Sequence, residues 1–351
     1  MILVPGSMPK IICSFGLDTS FYDVFMKKKQ IYKIAAKVIK VIIILLAFGF
    51  IIRALLYERE GQTIYQFFSH IKLSPAQYGL LVLVFSMMFL NWFLEIQKWR
   101  LLIKPLEPLT LGAAFTGVFA GITVSSFTPN RTGEYVGRVF VLKRNNRWQA
   151  VILTMAGSIG QITSTFIAGI IALLFFIPRV QLLNGMDLYL QLLAIALLCV
   201  LLIAYFRIAH VHALFVRIKF LRRIMKYLSV VKTLQPSVMF KVLIYSLSRH
   251  LVFSTQFFLL LYIFEMPLSY GVGLMLSSVV YLMISVVPTI ALTEIGVRGA
   301  VSIFVFSLFF QNTVADMELI VITAGFLLWL INLVMPAIIG ALLINRLKIF
   351  S

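Results

Sequence analysis

The chain has 351 residues, of which 61% are hydrophobic and 12% charged, with a mean hydropathy of +1.02. Soluble domains are roughly half apolar and one quarter charged, and here the apolar residues come in runs of about 20, the length that crosses a bilayer, which excludes an ordinary water-soluble domain. A net charge of +19 would suggest nucleic acid in a soluble protein, but these cations cluster beside apolar runs, where the positive-inside rule and anionic lipid account for them, and no nucleic-acid partner is expected.

Continuous apolar runs also exclude a transmembrane β-barrel, whose strands alternate apolar and polar residues over segments of about ten. Cys13 and Cys199 make no disulfide framework and have no neighbours at metal-ligand spacing, so neither a metal nor another cofactor is expected. The fold class is therefore all-α: a polytopic membrane helical bundle of 6–8 spans.

From the N-terminus, residues 1–37 read as a cytoplasmic segment, and Met26, followed by Lys27, Lys28 and Lys29, reads as an alternative start. The apolar stretch Val38 to Tyr57 is too long for the core of a cleavable signal and reads as a retained first span. A loop of little net charge follows to Gln77. The second span, Tyr78 to Phe93, ends in Glu95, Lys98, Trp99 and Arg100, which reads as a charged cytoplasmic edge and places the N-terminus in the cytoplasm as well.

Further apolar segments are Leu109 to Phe127, Ala150 to Ile177, Leu188 to Phe206, Phe240 to Phe264, Tyr270 to Val287, Ala300 to Phe310 and Leu319 to Leu343. Strict alternation would put Arg131, Arg138, Lys143, Arg144 and Arg147 outside. The segment before them is rich in Gly, Ser and Thr, so it reads as re-entrant, and irregular backbone at membrane depth implies a surrounding cavity. Arg207 to Lys241 carries eight Arg or Lys and no acid, with apolar residues at helical spacing. The segment 207–240 is expected to lie along the cytoplasmic surface, against anionic inner-leaflet lipid, either as an ordinary positive-inside loop or as a lipid sensor. Gln311 to Glu318 bears only acidic charge and reads as external.

Two places share a pattern. Ser126-Phe-Thr-Pro129 leads to Gly133-Glu134 and Arg138, and Ser285-Val-Val-Pro288 leads to Glu294, Gly296 and Arg298. Proline interrupts a helix, glycine lets the chain turn, and a new helix start offers NH groups to an anion. Three crossings separate the two motifs, so they would face each other as halves of an inverted repeat, as in transporters with midplane sites. A charge at the bilayer centre costs at least about 2.5–3.5 kcal/mol, so Glu134, Arg138, Glu294 and Arg298 are expected to face inward, each Glu pairing with the Arg four residues on. Either these pairs simply neutralise each other, or Arg138 and Arg298, joined by Arg131, grip a lipid phosphate. Arg249, within the Phe240 span, either snorkels to the basic edge or joins the cavity. Asn91, Gln161 and Asn332 read as interhelical hydrogen-bonding residues, and His70, His210 and His212 as loop residues.

The chain resembles the lysylphosphatidylglycerol synthase transmembrane, or flippase-like, family. The resemblance rests on Trp99-Arg100, on Pro129 with Gly133-Glu134 and Arg138, and on Gly296-Val-Arg298, and covers about residues 38–345. It departs where family members commonly carry an acid directly after the late arginine, since Gly299 stands there. The resemblance implies a multi-pass protein of the bacterial cytoplasmic membrane that moves a phospho-, aminoacyl- or isoprenoid-linked lipid with an anionic headgroup between leaflets. Full-length synthases of the family also carry a cytoplasmic aminoacyl-transferring domain, and none is expected after Leu343. With no Gly-Lys-Ser/Thr phosphate loop, ATP hydrolysis is not expected to drive movement. The competing readings are an intramembrane lipid phosphatase or phosphotransferase, against which neither motif holds a histidine, and an accessory subunit without transport.

Overall fold

A computed structural model describes residues 73–128, 131–180, 185–207, 230, 234–286, 291–311, 314 and 317–343. The expected first span (38–57), Pro129, Pro288 and most of the basic segment 207–240, namely 208–229 and 231–233, lie outside the described residues. Of that segment, Pro236 onward is already helix.

Among the described residues the structure is helical and without strands. The helices are α1 (Pro75–Ile103), α2 (Leu111–Ser125), α3 (Gly133–Val139), α4 (Arg147–Val180), α5 (Asp187–Phe206), α6 (Pro236–Ile263), α7 (Tyr270–Val286), α8 (Ala291–Phe310) and α9 (Met317–Leu343). A single 3₁₀ turn, Arg144–Asn146, leads into α4. Local chemistry sets several starts. Ser74 and Gln77 form a reciprocal capping box ahead of α1 with Pro75 in its first turn, and Thr110 accepts from Ala113 N at the head of α2.

Length and composition separate the helices. At 1.5 Å per residue, α1, α4, α5, α6, α8 and α9 reach about 30 Å or more, enough for a hydrocarbon core, and among them α1, α4, α5 and α9 are apolar enough to cross one. The 15-residue α2 and 17-residue α7 reach only about 22 and 25 Å. The surface has the same solvent in mind: on α5 the side chains of Leu188, Leu192, Leu193, Leu197 and Val200 are exposed, a face that hydrocarbon suits and water does not.

Hydrogen bonds fix the polarity of the bundle. Gln77 Nε2 donates to Ile263 O (2.9 Å), Gln256 Nε2 to Val84 O (2.8 Å) and Arg249 Nε to Asn91 Oδ1 (2.9 Å), so α1 and α6 run antiparallel. On α4, Gly157 packs at Leu102 while Gln161 accepts from Lys98, so α4 is also antiparallel to α1. The exposed Lys104, Lys143, Arg207 and Lys241 gather at the Arg100 end, and the exposed Glu265 and Glu318 at the opposite, Ile263 end.

The two short helices start at opposite ends. From the Arg100 end, α2 rises along α1, with Gly117 at Trp99 and Phe119 5.9 Å from Trp92, and α3 folds back beside it. There the backbones touch: a Cβ on Gly137 would lie 2.6 Å from Gly121 Cα, a separation that only glycine permits. From the Ile263 end, α7 descends along α6, with Tyr270 OH 2.9 Å from Thr255 Oγ1 and Ser278 Oγ 3.0 Å from His250 Nε2. α8 then returns, bringing Phe306 to Phe257 (6.2 Å) and Phe309 to Phe176 (6.4 Å). Two helix-break-helix hairpins thus enter from opposite ends, the inverted arrangement that the paired motifs suggest.

α9 closes the bundle. Gly340 sits against Phe119 O of α2, and Thr123 Oγ1 donates to Ala337 O (2.8 Å). A π turn, Leu330–Val334, interrupts α9 where Asn332 meets two neighbouring helices.

Candidate functional site

The hairpins converge on a cavity of about 370 Å³ in the middle of the bundle. Its charged lining comprises Lys98, Arg131, Arg249 and Arg298 against Glu95 and Glu134, an excess of positive charge, and Trp92, Gln161, Tyr281 and Asn332 contribute to its walls.

Glu95 is the centre of the charge arrangement. It is 4% exposed and receives Lys98 Nζ (2.7 Å) from its own helix, Arg138 Nη1 (2.8 Å) from α3 and Arg249 Nη1 from α6. Arg138, 2% exposed, also pairs with Glu134 one turn earlier, and its guanidinium lies 5.9 Å from the Trp99 ring. One buried carboxylate therefore ties three helices through three cations. Ion pairs so far from water persist only when geometry and further hydrogen bonds satisfy both partners. Those bonds are present: Arg249 donates to Asn91 and, through Nη1, to Gln161 Oε1 (3.1 Å), which also accepts from Lys98 (3.3 Å).

The network continues away from the charges. Asn91 Nδ2 donates to Asn332 Oδ1 (3.4 Å), and Asn332 Nδ2 to Gln256 Oε1 (3.2 Å). Trp99 Nε1 donates to Thr154 Oγ1 (3.0 Å), fixing the ring beside Arg138.

The residues singled out in sequence fall as follows. Arg131, Glu134, Arg249 and Arg298 line the cavity, and Arg138 stands behind it, holding Glu95 and Glu134. Arg131 has a left-handed backbone (φ 56°) in the α2–α3 connection, a conformation that costs a side-chain-bearing residue on the order of 1 kcal/mol or more. Gly133 is buried where a Cβ would meet Val124 O at 2.6 Å, and its NH donates to Thr128 Oγ1 (2.6 Å). Gly296 lies in α8 with open space around it. Glu294 belongs to α8, but its side chain, like Pro129 and Pro288, is outside the described residues. Arg249 does not snorkel: it is 8% exposed and bonded inward.

Glu95 and Lys98 were read from sequence as a charged cytoplasmic edge, and the structure corrects this. Both are buried, because α1 continues to Ile103 and the face that carries them packs against its neighbours throughout. The periodicity carries the signal. Asn91, Glu95, Lys98 and Leu102 recur at the three- and four-residue spacing of one helix face, beside Trp92 and Trp99, so the polar residues share the face that packs. Tyr281 and His250 reach the cavity wall without any comparable pattern.

A sequence model of the lysylphosphatidylglycerol synthase TM region matches residues 37–334, which contain every residue lining the cavity. The chain belongs to this family. No curated protein sequence and no solved structure matches it. Family membership and the apolar helices together make the chain a lipid-related, multi-pass membrane protein.

Proposed function

We propose that this chain moves a phosphate-bearing lipid between leaflets, with the headgroup passing through the charged cavity. The observation that supports it is the excess of guanidinium and ammonium groups over carboxylates in a cavity that both hairpins reach. Arginine presents a planar fork suited to phosphate oxygens. In the resting protein Glu95 holds Lys98 and Arg249 of the lining, and an arriving phosphate takes over part of that role without leaving bare charge in the membrane interior.

The polarity of the hairpins supports a path with two entrances, one toward the Arg100 end and one toward the Ile263 end. By the positive-inside rule the Arg100 end, with Lys104, Lys143, Arg207 and Lys241, faces the cytoplasm. Movement is facilitated or ion-coupled, and no catalytic step is assigned to the chain.

One contact favours the enzyme reading: His250 Nε2 lies 3.0 Å from Ser278 Oγ, the spacing of a base and a hydroxyl nucleophile. Ser278, however, does not line the charged cavity where a phosphate would sit.

Liposomes carrying fluorescent phospholipids, with and without the purified protein, test the proposal. Wild type accelerates leaflet exchange, and Arg131→Ala and Arg298→Ala, both at positions that line the cavity, slow it by about tenfold or more, the loss of one charge-assisted contact of about 1.5–3 kcal/mol. Headgroup release without exchange would replace translocation by an enzyme, and neither activity would leave an accessory subunit.

A further inference from the structure

A second hollow, of about 480 Å³, lies between α4, α6 and α7. Its walls are apolar, built from residues such as Ile171, Phe175, Leu251, Leu274 and Met275. Ile171, Phe175 and Leu251 are each at least 44% exposed, so the groove opens sideways on the surface that hydrocarbon covers. It carries no charged side chain, in contrast to the cavity beside it.

The two spaces share one residue. His250 lines both, held by Ser278 on the groove side and standing edge-on to Tyr281, 5.8 Å between ring centroids, on the cavity side. One side chain thus stands between a cavity lined by charged groups and a groove lined by apolar ones. Close to this partition, Ser254 is buried in the groove wall with a hydroxyl that has no hydrogen-bond partner. A buried hydroxyl donor is costly to leave unmatched, and an acyl-ester carbonyl at the junction of headgroup and tail is an acceptor that would match it.

We propose that the groove between α4, α6 and α7 holds the hydrocarbon chain of the same lipid whose anionic headgroup occupies the cavity, with His250 as the partition the molecule straddles. The inference rests on the translocation reading and adds to it a substrate class, an ester-linked anionic glycerolipid, and a lateral route from the bilayer. Continuity with the charged cavity favours a lipid over a helix of another protein, because an amphiphile needs a charged and an apolar compartment side by side. His250 is a positioning residue here: it meets no reacting atom, and its ring sets the width of the passage.

Photolabelling tests this with the full chain in nanodiscs containing phosphatidylglycerol that bears a diazirine midway along one acyl chain. The exposed face of α5 supplies the reference for ordinary surrounding lipid. Peptides covering Ile167 to Phe175 and Leu247 to Ser254 are expected to be labelled about tenfold more than those of α5, a preference of ~1.4 kcal/mol. Ala168→Trp, which fills the groove, removes the excess, and Arg298→Ala lowers it while the protein still elutes as a folded species. Ser254→Ala reduces the excess for ester-linked lipid and not for an ether-linked analogue.

Labelling no stronger than on α5, or unchanged in Ala168→Trp, overturns the groove as a tail site. So do crosslinks between two copies of the chain through these helices. Excess labelling that persists in Arg298→Ala overturns the idea of one molecule in both spaces, and the headgroup reading then stands or falls separately on leaflet exchange.

Discussion

Arg138 Nη1 lies 2.8 Å from Glu95 Oε1, joining a residue of the short helix α3 to the third-last turn of the long helix α1. The pair anchors the hairpin that enters from the Arg100 end to a helix spanning the bundle. Because Glu95 also holds Lys98 and Arg249, its carboxylate is the common acceptor for cations from α1, α3 and α6.

Removing that acceptor strands buried cations. Glu95→Ala is expected to destabilise the protein by roughly 3–5 kcal/mol, the penalty of breaking a buried pair by deleting one partner. Adding Arg138→Met should recover part of this, with a coupling of about 1 kcal/mol or more between the two sites. Thermal unfolding in detergent of the two single variants and the double variant measures the cycle. Strictly additive losses would show that the pair carries no energy of its own.

Exchanging Glu134 and Arg138 distinguishes a self-contained ion pair from a wider network. If the two residues only neutralise each other, the exchanged protein keeps both its fold and its transport. In the structure Arg138 also binds Glu95, so the exchange would set two carboxylates side by side at a buried position. Loss of folding or a drop in leaflet exchange of about a hundredfold, near 2.7 kcal/mol, is the expected outcome. Retention of wild-type exchange would refute the network.

The long apolar runs were legible in the sequence because hydrophobic length is a strong signal, and so was the small, polar character that sets α2 apart from a lipid-facing helix, whereas Pro129 and Pro288 themselves lie outside the described residues. Glu95 and Lys98 were not legible, since charges near the end of an apolar run read equally as an interface and as a buried cluster until the helix is known to continue to Ile103. Arg249 was ambiguous for the same reason. Its position along the helix is compatible with snorkelling, and only the neighbours Asn91, Glu95 and Gln161, 88 or more residues away in sequence, decide that it turns inward. Tyr281 reaches the cavity through the packing of α7, which no local pattern encodes.

Two glycines that look alike in sequence are expected to differ sharply. Gly137→Val places a side chain where Gly121 Cα would be 2.6 Å from the new Cβ, so α3 cannot dock on α2 without moving. The cost is expected to exceed the usual 1–3 kcal/mol of overpacking, since the obstacle is backbone, and the folded yield on size exclusion should fall. Gly296→Ala has no atom within 4 Å of its new Cβ and replaces glycine inside a helix. A gain of about 0.5–1 kcal/mol in thermal stability is expected there. Equal effects at the two positions would contradict the close approach of α2 and α3.

The π turn in α9 places Asn332 where it serves as acceptor for Asn91 and donor to Gln256, and so connects α9 to α1 and α6 across the same layer that holds Glu95. Asn332→Leu keeps the volume similar but leaves Asn91 Nδ2 and Gln256 Oε1 without this partner at buried positions. Each such group costs about 1–3 kcal/mol when stranded, although partners found by relaxation within a membrane bundle reduce the sum. A loss of roughly 1–3 kcal/mol in unfolding free energy is therefore expected, with Asn91→Leu in the same protein costing less than it does alone, because the orphaned amide has gone. If the two losses are instead strictly additive, the asparagines do not act through each other, and the π turn has a different cause.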